Sequence, residues 1–517
     1  MATEGAIVFV GYMGAGKSEA ARAAGDALGE DVVDADDEIE RELGESIASF
    51  FEREGEAGFR EREQRLVLEL LEHGGVISLG GGAVESAAVA ETLRAHVGAW
   101  CRVDEDVAWE RSRGSGRPLA VDRDQFGRRF AAREPLYERA ARAVLPEGGA
   151  EVGRAAAPWL AALRARPELR MAWASSPSGA YPAIVGPGAA ELLGAPEVTE
   201  ALGASRWFAI ADAAALSAHR DLLPVSEAVI EVEAAEERKT LAEAERVLRD
   251  LAGAGARRDD GVIAFGGGVV GDLAGFCAAS YQRGIALVHV PTTLVAQVDS
   301  AYGGKTGVDL PEAKNYVGAY HMPAAVLADP RALATLPDEE LAAGFVEVVK
   351  TALIAGGELW ERVAGLDALD PASLDDVVFA CARTKIDVVV ADERDRGGRA
   401  VLNLGHTVGH AIEAATGYGR YRHGEAVGLG LLAALRLSEA DELRQRVRGI
   451  LERHGLPTAL ESDVATDDVL AAVELDKKRT ADGLGFVLVE RPGEVRVGAR
   501  VNPDVVRAAV DELRSES

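Results

Sequence analysis

Lysine is rare in this chain. It stands at Lys17, Lys239, Lys305, Lys314, Lys350, Lys385, Lys477 and Lys478, against 48 arginines in 517 residues. A guanidinium replaces an ammonium wherever a solvated cation suffices. The lysines that survive in an arginine-biased chain therefore mark positions that need a compact, three-donor ammonium. Read in order, they give one phosphate loop and one dense anion pocket. Three of the nine histidines, His406, His410 and His423, fall in one 18-residue stretch among the later lysines, a density that suggests metal.

The loop is Gly11-Tyr12-Met13-Gly14-Ala15-Gly16-Lys17-Ser18, the full GxxxxGK[ST] pattern, set between the apolar run AIVFV and a helical run. Backbone N–H groups of Gly14, Ala15 and Gly16 can curl around phosphate oxygens, Lys17 can reach the outer phosphates, and the Ser18 hydroxyl can hold Mg²⁺. ATP with Mg²⁺ is the expected ligand. Behind the loop come Asp34-Ala35-Asp36-Asp37 at the end of a VV strand, GExxFRxxE with Glu56, Phe59, Arg60 and Glu63, and SLGGGAV with Gly80, Gly81 and Gly82. Arg111, Arg113 and Arg117 follow in a Gly/Ser-rich stretch, then Arg133-Glu134-Pro135-Leu136-Tyr137. Each motif alone is weak, since a DxD is usually a solvated turn and an arginine run a wet helix face.

In this order behind a phosphate loop, the motifs resemble shikimate kinase, a P-loop enzyme of NMP-kinase-like fold. The resemblance implies Asp34 near the Mg²⁺ water shell, Asp36 on the shikimate hydroxyls, and Arg117 in a lid over ATP. It implies Arg60, Gly80, Gly81, Gly82 and Arg133 around the sugar-like acid, with Lys17 and Asp36 catalytic. The residue types agree, because a carboxylate grips a diol, arginines pair with a carboxylate, and phosphoryl transfer needs mostly positioning and charge neutralisation. Two departures stand out: Glu19 takes the place of a usual second hydroxyl, and the lid between Arg111 and Arg117 is short. Both could slow a kinase, and neither removes a role named above.

The second constellation is longer. By spacing alone, His406 and His410 at i, i+4 could both ligate Zn²⁺ as an HxxxH pair. Around them stand GGGVVGD at 266 to 272 behind the strand VIAF, Thr292 and Thr293, Asp299, Lys305, Lys314-Asn315, and GFVEVVK with Glu347 and Lys350. A glycine loop between strand and helix suits a pyrophosphate, and Asp212, Glu236 and Lys239 are placed for an adenosine ribose. Together these residues resemble 3-dehydroquinate synthase over nearly all of residues 179–500. The resemblance implies NAD bound by Asp212, Glu236, Lys239, Gly268, Val269, Val270, Gly271, Asp272, Thr292, Thr293, Asp299, Lys305, Lys314 and Thr335. It implies Zn²⁺ or Co²⁺ on Glu347, His406 and His423, with His410 left for proton handling. Substrate phosphate and carboxylate would meet Lys305, Lys350, Lys385, Arg399, Asn403 and Lys477 or Lys478, with Arg283 and Asn315 nearby; Lys305, Lys350, Asn403 and His410 would be catalytic. Ala235 and Asp395 depart from the usual glycine and glutamate.

These groups need a scaffold, and composition bounds it. Apolar content of 48% and charged content of 27% are ordinary for globular protein, and no apolar run of about 18 residues suggests a membrane span. A net charge of −29 argues against nucleic acid. The start, MATEGAIVFVGYMGAGKS, runs into a strand without a basic region and cleavage site, which reads as cytoplasmic. Cys101, Cys277 and Cys381 are scattered and indicate neither disulfides nor a thiolate metal site.

The expected architecture is α/β. A P-loop kinase domain with a parallel sheet spans 1–145, and a linker 146–178 carries one short possible helix. A Rossmann-like NAD-binding part follows at 179–330, then an all-helical metal and substrate part at 331–517. A homodimer through the synthase part is expected. Two rivals stand beside this reading. One is an iron- or zinc-dependent alcohol dehydrogenase in the C-terminal half, which would not need six lysines on an anion. The other makes the N-terminal part a weak or non-catalytic nucleotide-binding module.

Overall fold

A computed structural model describes residues 5–114, 119–147, 149–224, 226–479 and 485–515, leaving out the side chains of 476–479 and 515. Arg117 and the side chain of Lys477 lie outside the described residues. The chain divides into two compact units, Met1–Ser175 with Gly179–Ala204, and Ser176–Ser178 with Ser205–Ser517.

In the first unit, the apolar runs seen in the sequence become strands β1 (Ile7–Val10), β2 (Val32–Asp34), β3 (Val76–Ser78), β4 (Val97–Cys101), β5 (Ala143–Leu145), β6 (Arg170–Ser176) and β7 (Gly179–Val185). Their order in the sheet is β2-β3-β1-β4-β5-β6-β7, and the pairs from β2 to β6 are parallel. Every residue of β1, β3 and β4 is buried, which is why these strands read as continuous apolar runs rather than alternating ones. The phosphate loop leaves the carboxyl end of β1, Asp34 closes β2, and Gly80–Gly82 follow β3, so one sheet edge collects all three motifs.

Residues 149–175, most of the segment expected to be a linker, belong to this unit. The helix Gly149–Arg164 buries Val152, Ala156, Ala157, Trp159, Leu160 and Leu163. It packs on the helix Lys17–Leu28 so closely that a Cβ on Gly153 would lie 2.2 Å from the Ala20 carbonyl oxygen. Small residues here serve a close helix pair, and that texture is indistinguishable in sequence from a loose connection.

The second unit holds the parallel order β14-β11-β10-β8-β9, with β8 at Trp207–Asp212, β9 at Ala228–Val232, β10 at Gly261–Gly266, β11 at Ala286–Pro291 and β14 at Ala325–Ala328. Helix Gly268–Ser280 opens directly after β10, as the glycine loop predicted. An antiparallel hairpin, β12 (Lys305–Leu310) with β13 (Ala313–Tyr320), leaves the sheet. Among the described residues beyond 331, the regular elements are helices apart from a second hairpin, β15 (Phe486–Arg491) with β16 (Glu494–Ala499), whose Pro492-Gly493 turn and buried FVLV run are strand chemistry. Among the described residues, no helix is long and apolar enough to cross a membrane.

Candidate active sites

The first site is built on the N-terminus of helix Lys17–Leu28. Its cap, Gly16, is left-handed at φ 79°, which lets the loop deliver N–H groups to one point. Lys17 Nζ donates to the Tyr12 carbonyl at 3.0 Å, and Ser18 Oγ lies 3.3 Å from Ser78 Oγ. A cavity of about 600 Å³ is lined by Gly14, Gly16, Lys17, Ser18, Glu19 and Arg111. Another, of about 430 Å³, shares Lys17 and Ser18 with it and reaches Asp36, Arg60, Gly80, Gly81, Gly82 and Arg133. Lys17 and Ser18 therefore stand where the two cavities meet.

Other expected residues acquire local partners. Asp34 caps the following helix by accepting from Asp36 N at 3.1 Å. Arg111 donates to the Gly14 carbonyl at 3.1 Å and pairs with Glu147, which fixes it in the wall of the larger cavity. Glu19 lies against Gly149 at the start of helix Gly149–Arg164, a helix end where a carboxylate is favoured. Glu63, singled out in the sequence beside Arg60, is 2% exposed and paired with it, and one acid escaped sequence reasoning: Glu85, whose Oε2 accepts from Arg133 Nη2 at 2.8 Å. Burial raises the Glu63 carboxyl above its usual range, against the opposing pull of Arg60.

In the second unit, Lys239 is the hub of the glycine-loop region. It is 3% exposed, lies 3.2 Å from both Asp272 Oδ2 and Glu236 Oε1, and donates to Asn315 Oδ1 at 2.8 Å. Burial pushes the Asp272 carboxyl up to about 6, with the Lys239 charge opposing. Lys314 lies 3.7 Å from Glu236 and over the Tyr418 ring at 4.8 Å. Gly268, Val269, Val270 and Gly271 form the first turn of the helix after β10, and Thr292 donates its N–H to Gly266 O. Asp212 caps a helix through Ala214 and Ala215, the Thr293 hydroxyl accepts from Ala296 N, and Thr335 meets His219. Arg283 is exposed in a left-handed turn at φ 73°.

The anion pocket and the histidines converge because helices approach closely. A Cβ on Gly430 would fall 2.0 Å from Gly405 O, and one on Gly424 would fall 1.9 Å from Ala343 O. These contacts seat helix His423–Leu437 on helix His406–Ala415 and on helix Asp338–Ala355, which carries Glu347 and Lys350. The ligand atoms of His406, His410 and His423 lie within 4.8 Å of one another. Distance alone would let the three rings share an ion.

Orientation separates them. His406 Nε2 and His423 Nε2 lie 3.6 and 3.7 Å from Glu347 Oε1. Their other ring nitrogens are occupied, His406 Nδ1 by Leu404 O at 3.2 Å and His423 Nδ1 by Glu413 Oε2 at 3.3 Å. Outer partners of this kind turn a histidine's Nε2 toward a metal. Glu347 is 1% exposed, and neither of its oxygens has a hydrogen-bond partner in good geometry, although the Lys350 ammonium pairs with Oε2. A buried carboxylate with two imidazole nitrogens at these distances could take up a divalent cation. Burial, aided by Lys350, lowers His406 to about 3, so the ring stays neutral; for His423, Glu413 and Glu347 outweigh burial and hold the ring above its usual value.

Asp299, expected among the NAD-binding residues, lies between Lys350, at 3.4 Å, and Lys385, and their charges overcome its burial and hold its carboxyl far below the usual range. Lys305 pairs with Asp395, and Arg399 Nη1 donates to Glu393 O at 3.0 Å. Arg399 and Asn403 share the short helical segment Gly398–Asn403. The pocket thus presents several cations whose present partners are the chain's own carboxylates.

Comparison with known proteins follows this division. A family model described as shikimate kinase matches residues 13–164, and models for the N-terminal and C-terminal parts of 3-dehydroquinate synthase match 229–343 and 344–479. The 3-dehydroquinate synthase of Symbiobacterium thermophilum is 46% identical over 300 residues, covering 56% of this chain and 84% of that protein. That of Gloeobacter violaceus is 44% identical over 296 residues, covering 56% and 82%. Among solved structures, the 2-epi-5-epi-valiolone synthase of Streptomyces hygroscopicus subsp. jinggangensis, with NAD⁺ and Zn²⁺ bound, is similar at TM-score 0.58 and 27% identity over 65% of this chain and 97% of its own. A 2-deoxy-scyllo-inosose synthase complexed with carbaglucose-6-phosphate, NAD⁺ and Co²⁺ is similar at 0.57 and 25% over 66% and 99%.

Proposed function

The chain belongs to the 3-dehydroquinate synthase family through its C-terminal part and to the shikimate kinase family through its N-terminal part, with both activities, and we propose that the residues gathered above execute them. In the first unit, ATP phosphates rest on Gly14, Ala15 and Gly16, with Lys17 on the outer phosphates and Mg²⁺ at Ser18 and, through water, at Asp34. Shikimate places its carboxylate at Arg60 and Arg133 and its hydroxyls at Asp36. Transfer then needs in-line positioning and neutralised charge, which Lys17 supplies where the two cavities meet.

In the second unit, 3-deoxy-D-arabino-heptulosonate 7-phosphate becomes 3-dehydroquinate and phosphate. When bound, NAD and Zn²⁺ or Co²⁺ supply a reversible hydride sink and Lewis acidity at the substrate hydroxyl. Lys239, Asp272 and Glu236 organise the cofactor side. Lys305, Lys350, Lys385 and Arg399 bind and orient the substrate phosphate and carboxylate, Asn403 positions them, and His410 carries a proton. Glu347, His406 and His423 hold the cation.

The observation that carries this reading is the aim of His406 and His423 Nε2 at one oxygen of buried Glu347. Zinc per chain after dialysis tests it. His406→Ala and Glu347→Gln should come out depleted of zinc, and His410→Ala should retain about one equivalent while losing roughly 10² to 10⁴ in turnover as a missing proton carrier. Equal metal loss from His406→Ala and His410→Ala would restore the HxxxH pair.

A further inference from the structure

Arg60 and Arg133 line the smaller cavity, yet both already face carboxylates. Arg133 is 2% exposed, and its Nη2 donates to Glu85 Oε2 at 2.8 Å. Arg60 pairs with buried Glu63, and its Nη2 lies 3.3 Å from Glu56 Oε1 and 3.8 Å from that same oxygen of Glu85. One carboxylate oxygen thus bridges the two guanidinium groups, where an incoming acid would form its own charge-assisted hydrogen bonds. Glu63 is packed and cannot leave. Glu85 ends the single turn Ala83–Glu85 with its side chain 41% exposed, so it can rotate into water.

We propose that Glu85 is a resident competitor for the substrate carboxylate, displaced when the acid binds, and that it sets the affinity and selectivity of the kinase site for acids. The proposal rests on assigning Arg60 and Arg133 to that carboxylate. Exchange of one carboxylate for another keeps a deeply buried guanidinium from ever standing unpaired, the arrangement that would otherwise be costly. The same exchange subtracts from the net affinity for any monocarboxylate, so only an acid with further contacts in the cavity, such as a polyol gripped by Asp36, binds well.

The test uses the full chain with Glu85→Gln and Glu85→Asp, measuring shikimate phosphorylation at saturating ATP–Mg²⁺ and inhibition by benzoate as a plain carboxylate probe. With the anionic rival gone, Glu85→Gln should lower KM for shikimate and the inhibition constant of benzoate by roughly three- to tenfold, with KM for ATP unmoved. Glu85→Asp, its carboxylate drawn back by one methylene, should fall between, and decides alone if Glu85→Gln does not fold. An unchanged or higher KM for shikimate overturns the proposal, because Glu85 would then merely hold Arg133 in place. Arg133→Ala checks the underlying assignment separately: an unaltered KM for shikimate there removes the carboxylate site itself, and the competitor with it.

Discussion

Lys17→Ala should reduce shikimate phosphorylation by about 10²- to 10³-fold or more, the usual cost of removing a preorganised charge at a transition state. The formation of 3-dehydroquinate should persist at its full rate in the same preparation. Lys17 Nζ is positioned by the Tyr12 carbonyl at the meeting of the two cavities, and it belongs to the first compact unit. The groups of the anion pocket belong to the second. Assaying both reactions on one folded sample checks this. Parallel loss of the two activities would mean that the sites are coupled and that the assignment of one activity to each unit is wrong.

Lys350→Arg should cost the synthase about 10²-fold or more, although it preserves charge. Lys350 is 1% exposed, paired with Glu347 and 3.4 Å from Asp299. A guanidinium there is overpacked by roughly 1–3 kcal/mol, and relief comes only by moving Glu347 or Asp299. Misplacement of about 1 Å is enough for a loss of that size. Bound zinc should fall alongside turnover, since Glu347 is displaced. The exposed exchange Arg249→Lys, at a side chain 76% exposed, is the control and should leave turnover normal. Near-normal synthase activity in Lys350→Arg would end the argument that an arginine-biased chain kept lysine for its compactness.

Much of this was legible in the residues, because the chemistry is local in sequence. The phosphate loop needs eight consecutive positions, and the metal set needs Glu347 three residues before Lys350 and the histidines on adjoining helices. Spacing could also have found Glu413, which lies seven residues after His406 and three after His410 on the same helix face, and which holds His423 Nδ1. What was not legible joins residues far apart. Asp299 between Lys350 and Lys385, Lys305 against Asp395, and Glu85 under Arg133 are pairings across 51, 86, 90 and 48 positions, with no periodicity to announce them. The segment 146–178 misled for a different reason. Alanine and glycine weaken the apolar pattern of a helix most where its partner comes closest, as Gly153 does against Ala20.

The rarity of lysine also governs how the protein can be handled. Amine-reactive dyes, cross-linkers and resins attack exposed ammonium groups, and most proteins offer these over the whole surface. Among the lysines whose side chains are described, Lys305 and Lys314 are the most open, at 53% and 44%, Lys17 is half-buried at the rim of two cavities, and Lys239, Lys350 and Lys385 are shielded at 3%, 1% and 12%. Both open groups belong to the anion pocket and its cofactor side. At these two groups, a reagent meant as a neutral tag would therefore behave as a modifier of the site proposed for the synthase, and attachment through them would turn that site toward the support.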